Sequence, residues 1–513
     1  FHAGAVVVPM DTKMSPGELQ RIVQDSEPRA LFASPDLMPV AQQLRSENDR
    51  LQHVFLLDSE RGGAVPALLE LDGQGDLSDR VRSDDDLALI FYTSGTMGSS
   101  KGVMISVANL NFQLNKLGAI EAIGHTDRFI SILPLSHVLE LSGGLLYLYS
   151  TGATIIYART IYPQELLKLM RERKATAMVS VPLFFQVLKT KIENEIRGKG
   201  RAAQLYFQSA QRLAESISSR RLRRIIFFPI IAKFGGHLRI AISGGAPLDP
   251  QVDRFFNLLG IQLLQGYGMT ETSPVIAVNI PYAQRSGSVG RPLDGVEVKI
   301  LRDGDSDEGE ILARGPLVMK GYYKRDDVTK EVIDDDGWLH TGDRGRLDSD
   351  GYLYVTGRVR SLIVLGNGLK VQPEEVEEVL GRGTTVQEIC VCAREHKPGR
   401  GQRSSEICAV VTPHEALWKW SDYDPQRLRL VVETEIEELS RTLAQHKRPK
   451  RVIIHDGELP KTTTRKVKRL LVQKWLEEDP TALEDDADVR KAVSEEEAKA
   501  VLEEARKQAE AAT

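Results

Sequence analysis

Cysteine is scarce. Three in 513 residues are too few, and odd in number, for a disulfide framework, and their rarity fits a reducing compartment. Cys390 and Cys392 are separated only by Val391, closer than the pair spacing of the usual zinc knuckle. Long apolar runs are missing as well. The longest, Ile225 to Ala232, contains Pro229 and falls far short of the ~18–20 residues that a membrane-crossing helix needs. No excess of one charge exists either: 67 basic residues face 72 acidic ones, a net charge of -5. The chain therefore has no global reason to bind nucleic acid, and any anionic ligand must be met locally. The chain does not begin with Met, and its first ten residues carry no basic and apolar secretory leader; a cytoplasmic protein, with peripheral membrane association open, is the expectation that fits the scarce cysteines. Phe1 to Pro9 already reads as a buried segment, with Ala5 to Val8 as a strand, which predicts that part of the first domain lies upstream.

What is present is a globular composition, 41% hydrophobic and 27% charged, in a chain long enough for two or three domains at ~100–200 residues each. Ser15 is the expected cap of a helix over Glu18 to Val23. From Asp86 to about residue 300, strand-like and helix-like segments alternate, which predicts an α/β architecture with largely parallel sheets. Between Leu183 and Phe234 the pattern turns long, polar and helical. There Arg220, Arg221, Arg223 and Arg224 immediately precede Ile225, Ile226, Phe227 and Phe228. Two readings of this junction stand: a solvated helix running into a buried one, which is favoured, or contact with an anionic membrane surface. Residues 296 to 360 read as strand-rich, with turns at Asp303-Gly304, Asp336-Gly337 and Asp350-Gly351. The predicted organisation is a large domain over 1–360, a small one over 361–475 with a turn at Asn367-Gly368 and a helix opened by Pro373, Glu374 and Glu375, and a charged helical tail or linker over 476–513. With no aromatic residue after Trp475, that tail is expected to bury little. No repeat of fixed period is visible.

Three constellations carry chemistry. In Phe91 to Gly102, the glycines Gly95, Gly98 and Gly102 let the backbone approach an anion, Thr93, Ser94 and Thr96 supply hydroxyls, and Lys101 supplies charge. Ser100 rather than Gly precedes Lys101, so this is not a Walker A loop, nor does it have the spacing of the dinucleotide fingerprint. The second pairs Ser243, Gly244, Gly245, Ala246 and Pro247 with Gln265, Gly266, Tyr267, Gly268, Met269, Thr270 and Glu271. Each half follows a short apolar strand, where open α/β sheets place ligands. Glycine walls and a Tyr suit a purine, and Thr270 with Glu271 offers oxygens for a hard cation such as Mg2+. The third is His340-Thr341-Gly342-Asp343 followed by Gly357-Arg358. The Asp343 carboxylate can accept from both hydroxyls of a ribose, and Arg358 can approach sugar or phosphate oxygens. Taken singly, each of the three is equally an ordinary turn or loop.

In this order and spacing, the motifs resemble the adenylate-forming superfamily of acyl-CoA synthetases, peptide adenylation domains and luciferases, from Phe1 to about Trp475. The resemblance implies a large adenylation domain of mostly parallel sheets and a small mobile α+β domain. It implies that Thr93, Ser94, Gly95, Thr96, Gly98 and Lys101 hold ATP phosphates, and that Gly244, Gly245, Ala246, Pro247, Gln265, Gly266, Tyr267 and Gly268 line adenine. It further implies that Thr270 meets the α-phosphate, that Glu271 and Thr93 serve the metal ion, and that Asp343 and Arg358 hold ribose. Leu459 to Lys466 resembles the C-terminal motif whose last residue, Lys466, enters the site during adenylation. An ammonium there suits the chemistry, because a carboxylate attacking a phosphate gathers negative charge; without the resemblance, a solvated basic strip is the simpler reading of Lys461, Arg465, Lys466, Lys468 and Arg469. Three departures stand out. Met97 and Ser100 replace a common Thr and Pro, Arg465 replaces the usual Gly, and Arg360 stands at the hinge position usually held by Asp or Lys.

Leu133 to Glu140, with its Pro-Leu-Ser-His-Val core, resembles the acyl-pocket border of long-chain fatty acyl-CoA synthetases, as does the helical insert between Val181 and Gly244. His137 either faces the reacting carboxylate or is a core histidine. The expectation is an AMP-forming ligase that uses ATP, Mg2+ and coenzyme A on a long-chain fatty acid; an acyl carrier protein as acceptor, a non-catalytic nucleotide-binding relative and a homodimer remain open.

Overall fold

The structure is a computed structural model and describes residues 4–57, 82–93, 100–120, 122–160, 162–302, 304, 306–359, 363–365, 370–396, 404–422, 424–461, 467–478 and 495–512. The first helix, Pro16–Ser26, starts where its chemistry dictates. The Glu18 amide donates to Ser15 Oγ at 3.3 Å and the Ser15 amide donates to the Glu18 carboxylate at 2.9 Å, so two otherwise unpaired donors of the first turn are satisfied reciprocally. The strand expected over Ala5 to Val8 is only an isolated bridge between Val7 and Leu89.

A seven-stranded sheet forms the centre, in the order Arg291–Pro292, Val275–Val278, Gln262–Gly268, Ile240–Ser243, Ala177–Ser180, Arg128–Ser131, Thr154–Tyr157. The last five are parallel, and parallel neighbours need crossover connections, here supplied by Pro163–Arg173, Pro182–Gly198 and Pro250–Leu258 among other helices. Covered on both faces, the middle strands lose their polar alternation: every residue of Ala177–Ser180 is buried. Phe185, Phe227, Phe234 and Phe256 fill the core beside them, with Phe185 and Phe256 edge to face at 5.6 Å.

Two antiparallel sheets flank this centre. Leu87–Thr93 and Lys101–Ser106 pair so that Thr93 lies opposite Lys101, and Gly321–Tyr322 adds a third strand. The strand-rich stretch after residue 296 becomes a four-stranded sheet of Glu297–Arg302, Gly309–Arg314, Leu339–Leu347 and Leu353–Arg358. Its turns at Gly337 and Gly351 both use φ +80°, a left-handed conformation that glycine adopts without strain. Asp303 and the turn Asn367-Gly368 lie outside the described residues.

A second core gathers around Val386–His396, Ser404–Pro413 and Arg451–Ile454. Its first helix, Pro373–Leu380, opens on Pro373 with Glu374 and Glu375 in the first turn. Cys390 and Cys392 point to one side of their strand, buried, with sulfurs 3.6 Å apart. The tail departs from expectation. Helix Glu495–Ala512 seats Leu502, Ala505 and Ala509 against Leu417, Leu428 and Val431, while Arg506 reaches Glu435 at 3.1 Å and Glu438 at 3.0 Å. Small residues at helical spacing let a helix approach closely without aromatic bulk. No helix among the described residues is long and apolar enough to cross a membrane.

Candidate active site

Adjacent parallel strands bring the second constellation together, with Ser243 opposite Gln265. Gly244, Gly245, Ala246 and Pro247 follow the first strand as a turn, with Gly245 at φ +83°. Gln265, Gly266, Tyr267 and Gly268 are not the turn expected from sequence. They prolong strand Gln262–Gly268, because Val275–Val278 returns antiparallel and pairs with Gly266, Tyr267 and Gly268. A side chain at Gly268 would place Cβ 1.8 Å from the Pro274 carbonyl oxygen, so only glycine fits the doubling back. At Gly244, a Cβ would come to 3.1 Å from Leu139, which sets the His137 segment against this same turn.

Across the opening, Asp343 and Arg358 face each other in register on neighbouring strands. Asp343 is buried; the Tyr267 hydroxyl donates to its Oδ2 at 2.9 Å and Arg358 Nε lies 2.9 Å from its Oδ1. Burial, reinforced by the Asp343 charge, pushes the Tyr267 hydroxyl well above the usual phenol range, so it remains a donor at neutral pH.

Glu271 sits in the short turn Thr270–Thr272 that follows strand Gln262–Gly268. Gln113 fixes this turn from behind, donating to the carbonyls of Thr272 at 3.0 Å and Val275 at 2.8 Å. The Glu271 carboxylate is buried, which raises its pKa, and it accepts from the Tyr322 hydroxyl at 2.9 Å. Tyr322 in turn carries Lys101 Nζ over its ring at 5.0 Å, a cation–π distance. Lys101, Tyr322, Glu271 and Thr270 therefore form one continuous wall, with Thr93 paired opposite Lys101. Tyr322 is the residue that sequence reasoning missed; its strand joins this wall from more than two hundred positions away, and the only local signal is Gly321, whose φ of +135° permits the turn into it.

A buried carboxylate whose hydrogen-bonding partner is a neutral phenol, beside a threonine hydroxyl, is an oxygen donor set that fits a hard divalent cation. Among the described residues no group of three or more His, Cys, Asp and Glu is placed to hold a metal ion, so such an ion would draw most of its ligands from water and substrate, as Mg2+ commonly does.

The segment bearing His137 has a different character. Among the described residues, Ser136 Oγ, His137 Nε2, Glu140 Oε2 and Ser142 Oγ are buried without a hydrogen-bond partner, as is Ser243 Oγ. Ordinary core polar groups are paired; among the described residues His137 Nε2 has no such partner. Burial lowers its pKa, with Asp11 opposing, which leaves a neutral ring at pH 7. Glu140 is fully buried; its Oε1 accepts from the Ser131 hydroxyl, and burial raises its carboxyl to about 7.

Ser94, Gly95, Thr96, Gly98, Arg360 and Lys466 lie outside the described residues. Around Lys466 the chain is held: Lys461 pairs with Glu388, Val467 bridges back to Lys461, and Arg469 meets Glu374 and Glu377 at 2.7 Å each. Lys461 and Arg469 are thus ion-paired rather than members of a solvated strip. The second core approaches the site through Gln372, whose Nε2 donates to the Arg358 carbonyl at 3.3 Å, and through Arg382, 3.9 Å from Asp249.

Comparison with known proteins bears on the family and the fold. The family model described as AMP-binding enzyme matches residues 1–323, and that of the AMP-binding enzyme C-terminal domain matches 375–466. A long-chain-fatty-acid–CoA ligase of Mycobacterium bovis is 32% identical over 399 residues, covering 74% of this chain and 65% of its own. A chloroplastic long-chain-fatty-acid–[acyl-carrier-protein] ligase of Arabidopsis thaliana is 27% identical, covering 80% and 66%. The crystal structure of ATP-bound MatB from Rhodopseudomonas palustris superposes with a TM-score of 0.68 at 28% identity, over 92% of this chain and 84% of that one. The chain spans 65% of the length of the mycobacterial relative.

Proposed function

This chain belongs to the AMP-binding enzyme family, and from that premise we propose that it is an AMP-forming ligase that activates a long-chain fatty acid and passes the acyl group to coenzyme A. A carboxylate oxygen attacks the α-phosphorus of ATP, the bond to the bridging oxygen breaks, and pyrophosphate leaves. The coenzyme A thiol, losing its proton, then attacks the acyl carbon and displaces AMP. In this reading Gly244, Gly245, Ala246, Pro247, Gln265 and Gly266 flank the purine, and Asp343 accepts from the ribose hydroxyls with Tyr267 and Arg358 holding its carboxylate in place. Lys101 and Thr93, with Ser94, Gly95, Thr96 and Gly98 of the loop between them, take the phosphates. Glu271 and Thr270, with Thr93, would hold Mg2+, which when bound supplies positive charge to the phosphate oxygens. Lys466 supplies an ammonium to the same gathering charge, Arg360 is the hinge, and neutral His137 borders the fatty carboxylate.

The observation that carries the reading is the unbroken wall from Lys101 through Tyr322 to Glu271, facing the Tyr267, Asp343 and Arg358 triplet. The preference for a long acyl chain is supported by the names of the relatives. ATP–pyrophosphate exchange across a panel of acids is the test. Palmitate or oleate should drive exchange and acetate should not; exchange with no fatty acid sinks the proposal. The chloroplastic relative favours a second acceptor, a carrier protein's phosphopantetheine arm. Thioester formed with free coenzyme A supports the first reading, and thioester formed only on a carrier protein supports the second.

A further inference from the structure

The Asp343 carboxylate does not leave a regular strand. Where Gly309–Arg314 pairs with Leu339–Leu347, Leu312 lies opposite His340 and Glu310 opposite Arg344, so that Ile311 alone faces Thr341, Gly342 and Asp343. Such a bulge takes backbone groups out of the ladder and re-aims a side chain, and bulges recur beside active sites. The groups released here find other partners. The Gly342 amide donates to Glu310 Oε1 at 3.0 Å, the Thr341 hydroxyl donates to the Ile311 carbonyl at 2.7 Å, and the Asp343 amide donates to Thr341 Oγ1 at 3.1 Å.

The Glu310 carboxylate is bound twice. Its second oxygen, Oε2, lies 3.1 Å from His340 Nδ1, so it bridges the residues on either side of Thr341 and hooks the bulge to the neighbouring strand. What it pins is a glycine at φ +69°. A Cβ at Gly342 would meet nothing within 4 Å, so glycine is required there for its left-handed backbone and not for space, and an unanchored glycine has many conformations open to it. The Gly342 carbonyl accepts from the Val359 amide at 2.8 Å, one residue beyond Arg358. Gly342 therefore adjoins both members of the Asp343 and Arg358 pair.

We infer that Glu310 is a positioning residue for the nucleotide sugar: by holding the Gly342 amide it aims the Asp343 carboxylate, without touching the nucleotide itself. The inference rests on the proposed function, in which Asp343 accepts from the ribose hydroxyls. A carboxylate suits the task, since a hydrogen bond to an ionised acceptor is stronger than one between neutral groups. Without it Gly342 can turn its amide toward water. Asp343, the next residue, then moves, and hydroxyls that must be met at hydrogen-bonding distance are lost.

Calorimetric binding of ATP, 2′-deoxy-ATP and 3′-deoxy-ATP, each with Mg2+, to the full chain tests this. The parent should prefer ATP to at least one analogue by about tenfold. Glu310→Ala should weaken ATP by about tenfold and that analogue by less than about threefold, so that the preference collapses. Glu310→Gln keeps an oxygen for the Gly342 amide and should hold both affinities within about threefold of the parent. Gly342→Ala acts on the same residue through φ alone and should also lose the preference. A brace that served only the sheet would lower the unfolding midpoint and leave the preference intact. Preference retained in a folded Glu310→Ala overturns the inference; should that variant not fold, preference retained in Gly342→Ala does so. A loss in Glu310→Gln equal to that in Glu310→Ala overturns it as well. A parent that binds ATP without discriminating against either analogue removes Asp343 from the sugar and overturns the inference while the rest of the nucleotide site stands, whereas a parent that binds no ATP overturns the proposed function with it.

Discussion

The two ends of the candidate site are built in opposite ways. Around Asp343 the polar groups are paired: Tyr267 and Arg358 both hold its carboxylate. In the segment around His137, the residues Ser136, His137, Glu140 and Ser142 each bury a polar atom with no partner among the described residues. A satisfied cluster is preorganised, so ligand binding there costs little rearrangement. An unsatisfied one holds back stability that a ligand or an ordered water can restore. If the proposed function holds, specificity for the acid and rigidity for the nucleotide reside in different halves of one cleft.

Glu271 joins the halves, and removing its charge should break the comparison most severely. Glu271→Gln retains the shape and an acceptor for Tyr322 but loses the anion proposed to hold the metal. Exchange with a fatty acid should fall by about 10²–10³ fold in kcat, with the fold intact by circular dichroism. An effect below tenfold would detach Glu271 from the chemistry and leave the wall as scaffold.

Glu140 sharpens the contrast through stability. Its folded-state value of about 7 lies above the 4.5 of an ordinary glutamate, so the fold prefers the protonated carboxyl. That contribution is complete below about pH 4.5 and is lost as pH rises through about 7. Glu140→Gln keeps an acceptor for Ser131 and has no charge to bury. It should be more stable than the parent by about 3 kcal/mol at pH 8, with most of the gain gone by pH 5, in urea unfolding at both pH values. An advantage independent of pH would mean that the carboxyl is not held as described. His137 behaves with opposite sign: burial favours its neutral ring, so its contribution is present above about pH 6.5 and lost as pH falls through its lowered value.

Local chemistry made much of this readable from sequence. Ser15 and Glu18 cap a helix through groups three residues apart, Pro373 opens another, and the glycine-rich stretches lie at strand ends because apolar runs precede them. What escaped is long-range. Tyr322 has no motif of its own, and its place between Lys101 and Glu271 follows from Gly321–Tyr322 pairing with Val103 and Met104. Gln265 to Gly268 read as a turn because four consecutive residues with two glycines usually make one; the antiparallel partner that keeps them in a strand lies beyond the Ser273-Pro274 bend. Aromatic content alone underrates the tail, because Leu502, Ala505 and Ala509 lie on one helical face and pack without aromatic bulk.

The smallest expected effect falls at Asp343, where preorganisation makes the loss specific. Asp343→Asn preserves size and leaves one oxygen, but it replaces an acceptor with a donor and removes the charge that faces Arg358. If Asp343 serves the ribose, binding of ground state and transition state should suffer alike, since the sugar lies remote from the reacting phosphorus. KM for ATP should then rise about 10–100 fold, the worth of a hydrogen bond to a charged group, with kcat nearly unchanged. Substituting 2′-deoxy-ATP or 3′-deoxy-ATP removes one donor from the ligand, so the penalty of the variant should shrink with at least one of them. A penalty of the same size on both analogues would mean that Asp343 acts by holding Tyr267 and Arg358 rather than by touching the sugar, and the ordered end of the cleft would then owe its order to the protein alone.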